Sequence, residues 1–272
     1  MTMQVAFPSE LLRPYIRQYW SIEGRIADGQ THLQRIVVTG LPELVCYLQD
    51  RPHSSQRIIA GNTVISGQQD GYYDLELTGR VSLFAITFQP HGLHHLLSIP
   101  LDEMYNQSVD LEQLDRLVLP DLRERLADSV HFSDRVRLVE KLLAERLIRK
   151  TESVDFRRFQ TIFQAIKNSH GAASVEKLAE MACLSRKQFE RKFPAWMGAS
   201  PKLFQRIVRF QYSLYLHQTR RFNSFTELAY ESGFYDQSHF TNEVKTLTGL
   251  SPKRLFSQCE MISDLYGQDT SC

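Results

Sequence analysis

Along the first part of the chain the apolar positions come in short runs. "QRIVVTG" (34–40), "ELVCYL" (43–48), "RIIAGNTVISG" (57–67) and "RVSLFAITF" (80–88) are β-branched or aromatic stretches broken by Gly, Pro, Asp and Gln. Such runs predict the strands of a sandwich or barrel, β-rich to about residue 105. "HGLHHLL" (91–97) and "LDEMYNQ" (101–107) then bring helical character, and from Leu111 onward the apolar spacing is helical. Pro120 is placed to open one helix, and Ser133 to cap the next. In that next helix Val136, Val139, Leu142 and Leu143 form a stripe, which suits either a dimer seam or a face packed on the N-terminal half. Phe156, Phe159, Ile162, Phe163 and Ile166 recur at helical spacing until Gly171, a candidate C-terminal cap. The expected boundary lies near 150–155, dividing the chain into 1–152 and 153–272.

The second half contains an internal repeat. "LAEMACLSRKQFERKFPAWMGASPKLF" aligns with "LAYESGFYDQSHFTNEVKTLTGLSPKRLF". Leu178 and Ala179 match Leu228 and Ala229, Leu184 matches Phe234, and Phe189 matches Phe240. Gly198, Ser200 and Pro201 match Gly249, Ser251 and Pro252. Each copy reads as helix, tight turn, helix, then Gly-x-Ser-Pro opening a further helix. Ser174 caps the first copy and Ser224 the second. Two helices across a tight turn make a helix-turn-helix unit, whose second helix enters the DNA major groove. The units are expected at 174–193 and 224–245.

The exposed residue types suit that role. In "SRKQFERKF", Phe189 and Phe193 are four apart and face the core, leaving Arg186, Lys187, Glu190 and Arg191 outside. Arg and Lys donate to guanine or phosphate, and Glu accepts from a cytosine amine. In "GFYDQSHFTNEV", Gly233 ends one helix in the left-handed region, Phe234 plugs the junction, Asp236 caps the next helix and Phe240 turns inward. Gln237, Ser238, Thr241 and Asn242 then face out, the amides suited to adenine. Between the units, "SPKLFQRIVRFQYSLYLHQ" reads as one helix of roughly 28 Å, approaching the ~34 Å between major-groove faces on one side of B-DNA. Arg206, Arg209, Arg220, Arg221 and Lys245 are candidates for phosphate contacts.

Charge sharpens this picture. The formal net charge is +1, but residues 171–258 hold 13 Lys/Arg against 7 Asp/Glu, and the rest 19 against 24. One end alone is fitted to meet a polyanion. Cys46, Cys183, Cys259 and Cys272 form no CxxC pair, which predicts a reducing compartment and no cysteine zinc site. No apolar run approaches the ~18 residues of a membrane span, and residues 1–10 lack a signal-peptide pattern. A cytoplasmic protein with no membrane partner is expected.

The segment from Ser174 to Phe256 resembles the DNA-binding domain of the AraC/XylS family of transcriptional regulators. "GFYDQSHF" followed by "TGLSPKRLF" carries the likeness in the second unit, and "LSRKQFERKF" followed by "GASPKLFQRIVRFQ" in the first. "LLRPYIRQYW", "VTGLPELV" and "ITFQPHGLHHLL" resemble the sensor domain of the same subgroup. The resemblance implies an α+β chain, with a β-rich, cupin-like sensor followed by an all-α domain of two helix-turn-helix units joined by a long helix. It implies a bacterial transcription factor, often an activator, with double-stranded promoter DNA and RNA polymerase as partners. A small-molecule effector and a homodimer are further expected partners. Base reading maps onto Lys187, Glu190 and Arg191, then Gln237, Ser238, Thr241 and Asn242. Asn242 stands where the family often has Arg, and Val244 where it usually has Phe, so the second recognition helix is poor in charge. Cys183 replaces the commoner Gly of the first turn, so that turn is expected to avoid a strongly left-handed backbone.

Other chemistries fit less well. Asp236 and His239 read as a cap and a surface residue, with no nucleophile at a recognisable spacing. His91 and His95, four apart, have metal-ligand spacing, but no HxH pair of the cupin kind occurs. Packing or helix capping is the plainer role. Tyr15, Tyr19 and Trp20 suit an effector-pocket wall or, more simply, a core. No enzymatic activity, metal or cofactor is expected. The rivals are a metal-binding or enzymatic cupin-like domain with an attached DNA reader, and an anti-activator that contacts a partner regulator.

Overall fold

The computed structural model describes residues 1–114, 119, 121–258 and 265–266. Among the described residues the strands are β1 (Thr2–Ala6), β2 (Ile16–Arg25), β3 (His32–Ile36), β4 (Glu43–Tyr47), β5 (Thr63–Ser66), β6 (Tyr73–Leu77), β7 (Arg80–Phe88) and, after a helix and a 3-10 turn, β8 (Ser108–Asp110). They form a six-stranded antiparallel sheet in the order β1-β2-β7-β4-β5-β8 and a two-stranded sheet β3-β6. β7 shows why the apolar runs are nearly continuous. Leu83 and Ala85 join Tyr73 and Leu75 of the small sheet on one face. Phe84, Ile86 and Phe88, pointing the other way, pack against helices. A strand covered on both faces has no polar alternation to display.

The helices are α1 (Pro90–Leu97), α2 (Leu111–Leu114), α3 (Leu122–Asp128), α4 (Phe132–Ile148), α5 (Val154–Asn168), α6 (Val175–Met181), α7 (Arg186–Met197), α8 (Pro201–Thr219), α9 (Phe225–Glu231), α10 (Gln237–Thr248) and α11 (Pro252–Gln258), with a 3-10 turn at Leu101–Met104. The chain is therefore α+β, a β-sheet half followed by a helical half. β1, β2 and β6 carry too mixed a pattern for sequence runs to reveal. "RIIAGNTVISG" is strand only at its end.

Local details correct several expectations. α4 starts at Phe132, so Ser133 lies inside it and His131 takes the N-cap position without a side-chain bond. The Phe132 ring sits 5.9 Å from Phe84, and this packing sets the helix start. Pro120 lies outside the described residues. α5 ends at Asn168, within the expected stop "NSHG", with Ser169 rather than Gly171 at the C-cap position. His170 and Gly171 are both left-handed, and the Gly171 N–H reaches back to the Ile166 carbonyl. The stripe on α4 is taken up within the chain: Val139 and Leu143 are buried in the main core, and Val136 and Leu142 pack against it.

One core crosses the expected boundary. Tyr15, just before β2, stacks on His95 of α1 and on Phe156 of α5, at 5.3 and 5.0 Å. Trp196 of α7 stacks on Phe159 (5.2 Å) and meets His94 (4.2 Å). The sheet half thus packs directly on the first helix-turn-helix unit. A second cluster, with Ile207, Phe210, Leu228, Phe234, Phe240 and Val244, holds the last helices together.

Candidate nucleic-acid interface

Both units are built by the same local chemistry. Ser174 accepts from the Lys177 N–H to cap α6, and Ser224 from the Glu227 N–H to cap α9. Ser185 opens α7 with a full capping box: its Oγ accepts from the Gln188 N–H, while the Gln188 side chain accepts from the Ser185 N–H. Asp236 opens α10, accepting from the His239 N–H at 2.7 Å. The turns are superimposable in their hydrogen bonds. In the first, Cys183 N–H donates to Glu180 and Leu184 N–H to Ala179; in the second, Gly233 N–H donates to Tyr230 and Phe234 N–H to Ala229.

That identity overturns the expectation for Cys183. Its φ is 52°, left-handed like Gly233 at 79°. The paired turn bonds and the plugs at Leu184 and Phe234 require this backbone, and they outweigh the ~1–2 kcal/mol that a Cβ costs there. Cys259 and Cys272 lie outside the described residues.

Phe189, Phe193 and Phe240 are wholly buried, and Phe234 nearly so. The Phe234 and Phe240 rings meet at 5.1 Å. With these anchors inward, Arg186, Lys187, Glu190 and Arg191 of α7 are exposed together, as are Gln237, Ser238 and Asn242 of α10, with Thr241 partly covered. Arg186 is held by Glu190 (3.0 Å) and by Glu176 of α6. Lys187 and Arg191 have no carboxylate partner among the described residues, which leaves their charge free. Gln237 is oriented by Thr226 of α9, whose hydroxyl donates to its Oε1 at 2.6 Å.

The candidate phosphate contacts separate into two groups. Arg220, Arg221 and Lys245 are exposed, Arg220 lying 3.8 Å from Glu231. Arg206 and Arg209 are engaged by partners within the domain, although the Arg206 side chain stays exposed. Arg206 pairs with Glu243 through two bonds of 2.5 and 3.2 Å. Glu243 is buried, so it does not dilute the outward charge of α10. Arg209 donates to the Gly171 carbonyl at 3.1 Å and lies 5.7 Å from the Phe234 ring, and burial lowers its pKa. Together these arginines tie the spacer helix α8, 19 residues long, to the units at either end.

The three histidines of α1 serve packing. His91 lies 5.4 and 5.6 Å from the Phe156 and Phe163 rings, and His95 lies 4.3 Å from Phe156. His94 Nδ1 bonds the Ile99 carbonyl. Tyr15 and Tyr19 are core residues hydrogen-bonded to Glu152 and Glu140. Trp20 lies on the other sheet face, donating to Glu43 and Thr87. Among the described residues no helix is long and apolar enough to cross a membrane.

Comparison with known proteins agrees with this geometry. Residues 178–258 match a family model described as a helix-turn-helix domain, and residues 4–110 match a domain of unknown function, DUF6597. An uncharacterised HTH-type transcriptional regulator of Haemophilus influenzae is 35% identical over 80 residues, 29% of this chain. The chain spans only 26% of that relative's length. Among solved structures, ToxT from Vibrio cholerae O395 is 13% identical, with 84% of this chain and 96% of that chain covered and a TM-score of 0.45. The AraC-like transcriptional activator CuxR is 12% identical, with 75% and 84% covered and a TM-score of 0.25. The paired units and their matched turns lie in the segment that matches the helix-turn-helix domain model, at the C-terminal end of the chain.

Proposed function

We propose that the chain binds promoter DNA sequence-specifically, with α7 and α10 entering successive major grooves on one face of the duplex. The observation that supports this most is the pairing of two capped helices with exposed polar faces through one 19-residue helix. Lys187, Glu190 and Arg191 read bases in the first groove; Gln237, Ser238, Thr241 and Asn242 do so in the second, and Arg186 supports the first set. Arg220, Arg221 and Lys245 contact phosphates. Arg206 and Arg209 set the spacing of the units rather than touching DNA. The first unit carries more of the affinity, because Lys187 and Arg191 have no counterpart cations at the same positions on α10.

Residues 1–152 act as a regulatory domain and 153–272 as the reader. A small-molecule effector acts by favouring one arrangement of the two. The protein works in the cytoplasm, without catalysis, as an activator that engages RNA polymerase, and a homodimer places two readers on one promoter. Selection from a random duplex library tests the reading: two boxes about one helical turn apart are expected. Against the recovered site, Arg191→Ala weakens binding by about tenfold or more, in line with the ~1–3 kcal/mol of one base contact. Raising salt from about 50 to 200 mM costs orders of magnitude. Salt-insensitive association sinks the proposal.

A further inference from the structure

The loop between β4 and β5 curls into an open hollow of about 330 Å³, lined by residues 51–59. It is fastened to β6. His53 exchanges both backbone hydrogen bonds with Glu76, at 3.1 and 2.7 Å, and the Asp74 N–H donates to Gln56 Oε1 at 2.7 Å. Within the loop, Ser54 Oγ accepts from the Gln56 N–H. Arg51 and Arg57 are both among its lining residues. Arg57 is stacked on Tyr73, its Cζ 4.5 Å from the ring centroid, and its buried Nη1 has no hydrogen-bond partner among the described residues. Arg51 is exposed. Neither arginine is paired with a carboxylate among the described residues; Glu76 reaches the His53 ring instead, at 3.5 Å.

A guanidinium stacked on an aromatic ring is a pre-oriented fork suited to a carboxylate or phosphate. Leaving a buried guanidinium nitrogen unsatisfied is costly, and an anion removes that cost. We propose that this hollow is an anion-binding site, taking the carboxylate or phosphate of a small molecule between Arg51 and Arg57, with the Ser54 hydroxyl as a further donor. The inference rests on reading the N-terminal half as a regulatory domain, and it names the chemistry that half responds to.

The site has a physical connection to the reader. Asp74, whose N–H is held by Gln56, accepts Nε and Nη2 of Arg35 at 2.8 Å each. Arg35 Nη1 reaches the carbonyl of Thr248, the last residue of α10, at 3.3 Å. Tyr72, under the Arg35 guanidinium at 4.2 Å, packs on Gly249 at the α10 cap. An anion that tightens the loop acts on Asp74 through Gln56, and so on the seat of the second recognition helix.

Titration calorimetry of the full chain tests the site without DNA, so its failure is separate from failure of the DNA reading. Inorganic phosphate and, separately, acetate are titrated at ionic strength matched with chloride. One saturable site is expected for at least one of them, and which one binds identifies the headgroup. Arg57→Gln and Arg51→Gln each weaken that binding at least tenfold; Arg191→Ala, which removes a cation from the reader face, leaves it unchanged. Hydrogen exchange of the α10 amides slows on saturation in wild type but not in Asp74→Asn. No saturable binding, full affinity in both loop variants, or loss in Arg191→Ala overturns the site. Unchanged α10 exchange at saturation overturns the connection.

Discussion

His91 puts a titratable ring in an apolar setting, 1% exposed between Phe156 and Phe163 and next to His95. Burial pushes its pKa down to about 3. Unfolded, the ring titrates near 6.5, so between these values the unfolded chain binds a proton that the folded chain refuses. The stability this contributes is complete above about pH 6.5 and drains as pH falls toward 3, at up to ~1.4 kcal/mol per pH unit. Chemical denaturation at pH 7, 5 and 4 checks it. His91→Leu flattens the acid limb by about one proton, and parallel curves for both proteins refute the assignment. Cys183 offers a second test at this scale. Cys183→Gly relieves a left-handed Cβ and raises stability by about 0.5–1 kcal/mol after the entropy that glycine adds to the unfolded chain. Gly233→Ala lowers it by about 1 kcal/mol, since only the backbone resists: the nearest atom to a Cβ there is Arg209 Nε at 4.0 Å.

At the scale of elements, α8 and α10 are joined by Arg206 and Glu243. The Glu243 side chain is 9% exposed and that of Arg206 44%. Arg206→Ala leaves a buried carboxylate without its partner and costs about 2 kcal/mol, less than a fully buried pair because water reaches the arginine side. Adding Glu243→Gln recovers part of the loss, as a thermal-unfolding double-mutant cycle shows. DNA affinity in the double variant stays close to wild type if Arg206 serves the fold; an affinity that tracks Arg206 alone returns it to the phosphate contacts. The caps and turns behind these helices were legible in the sequence, since Ser174, Ser185, Ser224 and Asp236 act within three residues of themselves. The inward turn of Glu243 was not, because its partner sits 37 positions away on another helix.

At the scale of the whole molecule, the sheet half touches both ends of the reader. Gly198, the cap of α7, packs on Gln68 and Leu101, and Gly249, the cap of α10, packs on Tyr72 and Arg35. Gln211 in the middle of α8 donates to the Val38 carbonyl at 2.9 Å. A Cβ at Gly249 would overlap the Tyr72 ring, and φ there is 71°. Gly249→Ala therefore costs about 2 kcal/mol or more, and it loosens the two halves, read as faster proteolysis between them. Tyr72→Ala on top relieves the overlap but not the backbone strain. Strict additivity of the two changes counts against contact at this point.

By itself the sequence determined what depends on near neighbours. The repeat, the capped helices, the inward phenylalanines, the exposed polar residues and the long spacer all follow from 3.6-residue periodicity and cap chemistry. The strands of "ELVCYL" and "RVSLFAITF" were legible from their β-branched runs. Tertiary structure decided what depends on distant partners. It chose packing for the α4 stripe, paired Arg206 with Glu243, turned Arg209 inward, moved the α4 start to Phe132 through Phe84, and held Cys183 left-handed through a turn geometry shared with Gly233. It also set Arg35, Asp74 and Tyr72 against the end of α10. Each of these is fixed by residues far apart in the chain, where a contact made on folding outweighs a local preference worth about a kilocalorie.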